Sequence, residues 1–82
     1  LHNDRYITLE LLRNNETQEL IGKMLKDIRF SQDVLVAIIQ RNEKIITPRG
    51  DTVLLEGDII TIIGEPKGIK ALFDLYIHKQ SD

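Results

Sequence analysis

The 82-residue chain has no cysteine, no tryptophan and a single methionine. Lack of cysteine removes disulfides and thiolate metal ligation, so neither a cystine-stapled scaffold nor a zinc finger is open to it, and it fits a reducing compartment. Its aromatic residues are Tyr6, Phe30, Phe73 and Tyr76, too few and too scattered among the basic residues to stack single-stranded bases. Long apolar runs are also missing. The longest, Val34 to Ile39, falls far short of the roughly 20 residues that a membrane-spanning helix needs. Eleven basic and 13 acidic side chains leave a net charge of −2, which gives no general attraction to nucleic acid or to an anionic bilayer, so any anion site must be local.

Catalytic equipment is equally sparse. His2 and His78 lie near opposite ends, and the hydroxyls of Ser31, Ser81 and the threonines have no base close by in sequence. Asp51, Glu56 and Asp58 fall in turn-like stretches without EF-hand spacing, which suits carboxylates that serve the backbone through Asx-type hydrogen bonds. Neither Gly-x-Gly-x-x-Gly nor Gly-x-x-x-x-Gly-Lys-Ser/Thr occurs, so the usual sequence warrants for a dinucleotide or triphosphate cradle are absent. The chain reads as a non-enzyme without metal or resident cofactor.

What is present is a succession of short periodic segments. Tyr6 to Leu12 alternates Ile7, Leu9 and Leu11 against Tyr6, Thr8 and Glu10, the pattern of a strand with one buried face. Asn15 or Thr17 can cap a helix that carries Leu20, Ile21, Met24, Leu25 and Ile28 on one stripe, with Gly22 inside it to let the helix approach a strand. Val34 to Gln40 is an almost continuous aliphatic run, predicting a central strand covered on both faces. Arg41-Asn42-Glu43 predicts a hairpin turn, Lys44 to Thr47 a returning strand, Thr52 to Leu55 a short extended piece and Asp58 to Gly64 another strand. Glu65-Pro66 opens a last helix buried through Ile69, Leu72, Phe73 and Tyr76, and His78 to Asp82 reads as a frayed tail. The expected fold is α+β: a small, mostly antiparallel sheet in β-α-β-β-β-α order with two helices packed on it, forming one domain over residues 1–82. A chain this short builds a thin core. Leu1 at the start and Met24 as the lone methionine suggest a domain excised from a longer product, and no signal-peptide pattern is present.

The tripeptide Arg49-Gly50-Asp51 matches the adhesion motif, but its composition reads as a tight turn, with Gly50 suited to a positive φ. Two arginines are candidate anion contacts, Arg29 before the central strand and Arg49 in the proline turn, which the intervening hairpin could bring near each other. The competing reading is that both are solvated loop charges.

In order along the chain come Ile21-Gly22-Lys23-Met24-Leu25, a buried strand ending at Arg41, Pro48 through Thr52 to Leu54, Gly57-Asp58, Ile59 to Ile63, and Gly64. Together these resemble the TrkA C-terminal domain, also called the RCK C-terminal domain, over most of the sequence. The resemblance implies a cytoplasmic regulatory module of a cation or anion transporter or channel, at the inner face of the membrane but not inserted in it, pairing as a homodimer. It also implies a regulatory ligand, cyclic di-AMP, in a cleft between subunits. By that resemblance the ligand-facing residues are Ile28, Arg29, Phe30, Val34, Leu35, Pro48 and Arg49, with Arg29 or Arg49 on phosphate and Phe30 with the aliphatics on an adenine face. Val34 stands where cyclic di-AMP binders of the family often carry a polar residue such as asparagine. The alternative is a purely structural dimerisation domain, of a transporter or a transcription regulator, that takes no small molecule.

Overall fold

The structure, a computed structural model, describes residues 3–77. His2 and the tail from His78 lie outside the described residues. Four strands form one antiparallel sheet: β1 (Tyr6–Glu10), β2 (Val34–Arg41), β3 (Lys44–Ile46) and β4 (Ile59–Gly64), in the spatial order β1-β4-β2-β3. One helix, α1 (Pro66–Tyr76), packs on β1 and β4.

The period-two pattern decides which face is buried. Ile7 pairs with Ile62 and Leu9 with Ile60, while Val36 and Ile39 lie opposite the same two β4 residues. Cross-strand partners share a face, so these side chains form the inner layer. Ile7, Leu9, Ile39, Ile60 and Ile62 make the core with Leu11, Leu20, Leu54, Ile69 and Leu72, and Val36 packs against it. The opposite face carries Tyr6, Ile63 and Leu35 in one row and Thr8, Thr61 and Ile38 in the next. It is open: Leu35, Ile38, Ile45 and Ile63 are between 42% and 66% exposed. The expectation that the central strand is covered on both faces is therefore corrected. Its run of aliphatics is continuous, yet only one side of it meets the rest of the chain.

The two-helix expectation also changes. Residues 17–28 do not form one α-helix but two short 3-10 helices, Glu16–Leu20 and Leu25–Asp27, separated by a turn at Ile21-Gly22. Asn15 caps the first by accepting from the Thr17 amide at 2.8 Å, as the polar sequence there predicts. After Leu20 the backbone hydrogen bonds go elsewhere. Gly22 N–H donates to the Leu54 carbonyl at 2.7 Å, Leu54 N–H to Lys23 at 2.9 Å, Leu25 N–H to Thr52 at 3.0 Å and Lys26 N–H to Gly50 at 2.9 Å. Amides satisfied by the 50–54 segment have no need of an i−4 partner, so tertiary pairing overrides the helical period. Gly22 has φ +90° and nothing within 4 Å of where a Cβ would sit. It is there for its left-handed conformation, not for a close helix approach.

The hairpin expectation holds. Asn42 and Glu43 turn at φ 52° and 70° between β2 and β3, the two positive φ values of a type I′ loop. Pro66 stands at the start of α1, where its missing N–H costs no helical bond.

Candidate functional site

Five of the seven sequence-predicted ligand residues meet in one surface hollow of about 360 Å³: Ile28, Phe30, Val34, Pro48 and Arg49. Leu25, Lys26, Ser31, Val36 and Gly50 complete its lining. The walls have different origins. Val34 and Val36 project from the inner side of β2, Ile28 and Phe30 come from the segment after the second 3-10 helix, and Pro48 to Gly50 from the turn that follows β3. The backbone bonds between residues 22–26 and 50–54 hold the last two walls together.

Arg29 and Leu35 are placed elsewhere. Arg29 lines a neighbouring groove between the 19–31 segment and α1, in the company of Glu19 and Asp27. Leu35 points to the outer sheet face beside Ile63 and Tyr6. The cause for Leu35 is strand alternation: with Val34 and Val36 turned to the hollow, the residue between them must face away. Ile28, Phe30 and Ser31 border both the hollow and the groove, so Arg29 is close in sequence but directed to the other side.

Arg49-Gly50-Asp51-Thr52 is a tight turn, closed by Thr52 N–H to the Arg49 carbonyl at 3.1 Å and by Arg49 N–H to Thr52 Oγ1 at 3.0 Å. Gly50 does not have a positive φ, contrary to its sequence reading. It lies against Lys26 instead, 3.5 Å from the Lys26 Cβ to the place its own Cβ would take. The motif's arginine thus borders a concave, partly apolar surface.

Sequence reasoning passed over two residues. Lys26 lines the hollow beside Arg49, and in the sequence it is one lysine within a stretch of helical spacing, which carries no sign of this position. Arg41 anchors the far end of β2 by a bidentate contact to Asp58, whose carboxylate also accepts from the Leu55 amide at 2.9 Å. Burial pushes the Asp58 carboxyl up, but the hydrogen bonds from Arg41 and Leu55 outweigh it and hold the group below its ordinary value. Asp58 is thus a fixed anion inside the fold, away from the hollow. Among the described residues no group of three or more His, Cys, Asp or Glu side chains could hold a metal ion. Nor, among them, is any helix long and apolar enough to cross a membrane.

The TrkA-C domain family model matches residues 9–76, from within β1 to the end of α1. The chain belongs to the TrkA-C domain family. This is a regulatory family rather than a catalytic one. The TrkA-C chain is 38% identical over 55 residues to the Trk system potassium uptake protein TrkA homolog of Archaeoglobus fulgidus, covering 67% of this chain and 13% of that protein. It is 33% identical over 64 residues to the K(+)/H(+) antiporter NhaP2 of Shewanella baltica, covering 78% of this chain and 11% of the antiporter. The TrkA-C chain therefore spans about an eighth or less of these relatives. A solved structure described as "Structure of RCK domain with cda" superposes with a TM-score of 0.68 at 26% identity, over 83% of this chain and 91% of that one.

Proposed function

We propose that this TrkA-C domain is a cytoplasmic, homodimeric ligand sensor of a cation transport system, and that the hollow beside Arg49 takes a cyclic dinucleotide of the cyclic di-AMP type. The observation that carries the reading is the convergence of Ile28, Phe30, Val34, Pro48 and Arg49 on one concave surface. Aliphatic and aromatic walls suit the face of a base, and a guanidinium at the rim suits a phosphate. Relatives named as potassium uptake and potassium/proton antiport proteins support the transport context, and an RCK domain of the same fold described with a ligand written cda supports the ligand.

The hollow opens outward, and a second copy set over it would turn it into a cleft lined from both chains. Pairing also answers the thin core, since it buries apolar surface that one small chain leaves wet. A ligand held in that cleft shifts a transporter between states only by the difference in its affinity for them. The second reading, a structural dimerisation domain without ligand, rests on the exposed apolar residues of the outer sheet face.

Calorimetric titration of the chain with cyclic di-AMP tests the proposal. Saturable heat, weakened by Arg49→Gln, is the expected result, together with a mass that rises toward twice 9.5 kDa in light scattering as ligand is added. No heat and no thermal stabilisation at near-millimolar nucleotide would leave the structural reading.

A further inference from the structure

We infer that α1 reports occupancy of the hollow, a regulation that rests on the ligand-binding reading of that hollow. An occupant that presses on Val34 displaces the start of α1 and loosens the bond between Tyr76 and Glu19 at its far end.

The hollow has two unlike walls. Pro48 to Gly50 form a pinned one, closed by Thr52 N–H to the Arg49 carbonyl at 3.1 Å and tied by Lys26 N–H to the Gly50 carbonyl at 2.9 Å. Ile28, Phe30 and Ser31 form the other, and they also border the groove whose far bank is α1. They stand as a partition between an occupant and the helix. The amides of residues 29–32 donate to no protein group among the described residues. With few bonds to break, the partition is the wall that yields when the hollow fills.

Val34, at the end of that partition, has no room behind it. Its Cγ1 stands 2.6 Å from where a Cβ on Gly68 would sit and 2.7 Å from that place on Gly64, so only glycine at both positions lets β2 come this close to the start of α1. Glu65 N–H, at the N-cap of α1, donates to the Asp33 carbonyl at 3.0 Å. The start of β2 and the first turn of α1 therefore move together, because a close-packed contact passes a displacement on instead of absorbing it. At the other end of the helix Tyr76 O–H donates to the Glu19 carboxylate at 2.8 Å. A helix shifted at Gly68 carries Tyr76 with it, roughly 12 Å further along its axis, and that bond is the one the shift loosens.

Amide hydrogen exchange of the 82-residue chain, read by NMR with and without cyclic di-AMP, measures the linkage. Bound nucleotide should speed exchange in α1 about fivefold or more, and by reciprocity Tyr76→Phe, at a residue outside the lining of the hollow, should bind the nucleotide tighter by a like factor. Lys70→Gln, which cuts the exposed Lys70–Asp74 pair on the same helix, should leave the affinity within about twofold. Nucleotide that binds while α1 exchange and the Tyr76→Phe affinity stay unchanged would overturn the coupling and leave the sensor reading standing. A ligand-free double-mutant cycle of Val34→Ala with Tyr76→Phe in urea unfolding separates the two failures, since sites this far apart add when they are independent. If no nucleotide binds, non-additive losses uphold the coupling while the sensor reading falls, and additive losses overturn both.

Discussion

Arg41 grips Asp58 with two parallel hydrogen bonds, Nε to Oδ1 and Nη2 to Oδ2, each 2.8 Å long, and Nη2 also donates to the Val53 carbonyl at 2.9 Å. The carboxylate is 1% exposed and the guanidinium side chain about a quarter exposed. This contact joins the end of β2 to the irregular 53–58 segment, which backbone bonds also tie to residues 22–24 and to Leu11. Removing the arginine leaves a buried charge without its partner, so Arg41→Met should cost about 3 kcal/mol or more in urea unfolding. Exposed pairs such as Arg5 with Glu65 and Arg13 with Glu56 should contribute within about 1 kcal/mol when cut.

The same carboxylate sets an acid dependence. Asp58 has a folded pKa below its unfolded one, so the unfolded chain takes up the proton first as pH drops. The stabilisation is fully present above the unfolded value of about 3.9 and is lost as pH falls through the depressed folded value. Asp58→Asn should flatten this acid limb in a series of unfolding curves. Tyr76 acts at the other end of the scale. Burial, then its hydrogen bond to Glu19, raises its pKa, so its contribution holds below the unfolded value of about 10 and fades as pH rises beyond it. Tyr76→Phe should remove that alkaline loss.

Helix propensity and structure make opposite forecasts for Gly68. Alanine inside an exposed helix gains about 1 kcal/mol over glycine, yet a Cβ on Gly68 would stand 2.6 Å from Val34 Cγ1 and 3.3 Å from Asp33 Cβ. Gly68→Ala should therefore destabilise by about 1–3 kcal/mol, and Val34→Ala in the same chain should recover part of the loss. Gly22→Ala tests another cause. With open space around the site and φ +90°, its cost of about 1–2 kcal/mol is backbone strain alone.

Ile38 and Ile39 are neighbours of the same type with opposite surroundings, 42% and 0% exposed. Ile39→Ala should cost about 2–5 kcal/mol by opening a cavity between β4 and the core. Ile38→Thr, on the outer face, should change stability by no more than about 0.5 kcal/mol. Thermal unfolding of the two variants side by side checks the assignment of faces.

Where a single local rule governed the outcome, the sequence was informative. Alternation located Ile7, Leu9 and Leu11, the Asn42-Glu43 turn was legible, and Pro66 marked the start of α1. The stretch 17–28 misled because its apolar spacing of three and four suits a helix, while its amides are paired to residues far along the chain. That pairing cannot be read from spacing, although a glycine amid the stripe was a clue to it. Lys26 was hidden for the same reason, since only the bond to Gly50 brings it beside Arg49. The one-sided exposure of β2 escaped notice because Leu35 and Ile38 are as apolar as Val36 and Ile39, leaving no alternation to show which side is wet.

β4 lies between β1 and β2, and this order bears on how the chain acquires its shape. Among the described residues only the β2–β3 hairpin is local, whereas Glu10 finds its partner at Ile59, roughly fifty residues away. Closing a loop of that length costs about 3–4 kcal/mol of chain entropy before any contact repays it. A nascent chain that stops before Ile59 has an unpaired β1 and a β2 joined only to β3. The sheet therefore forms only once β4 is available to join β1 to β2, and pairings this far apart in sequence slow folding.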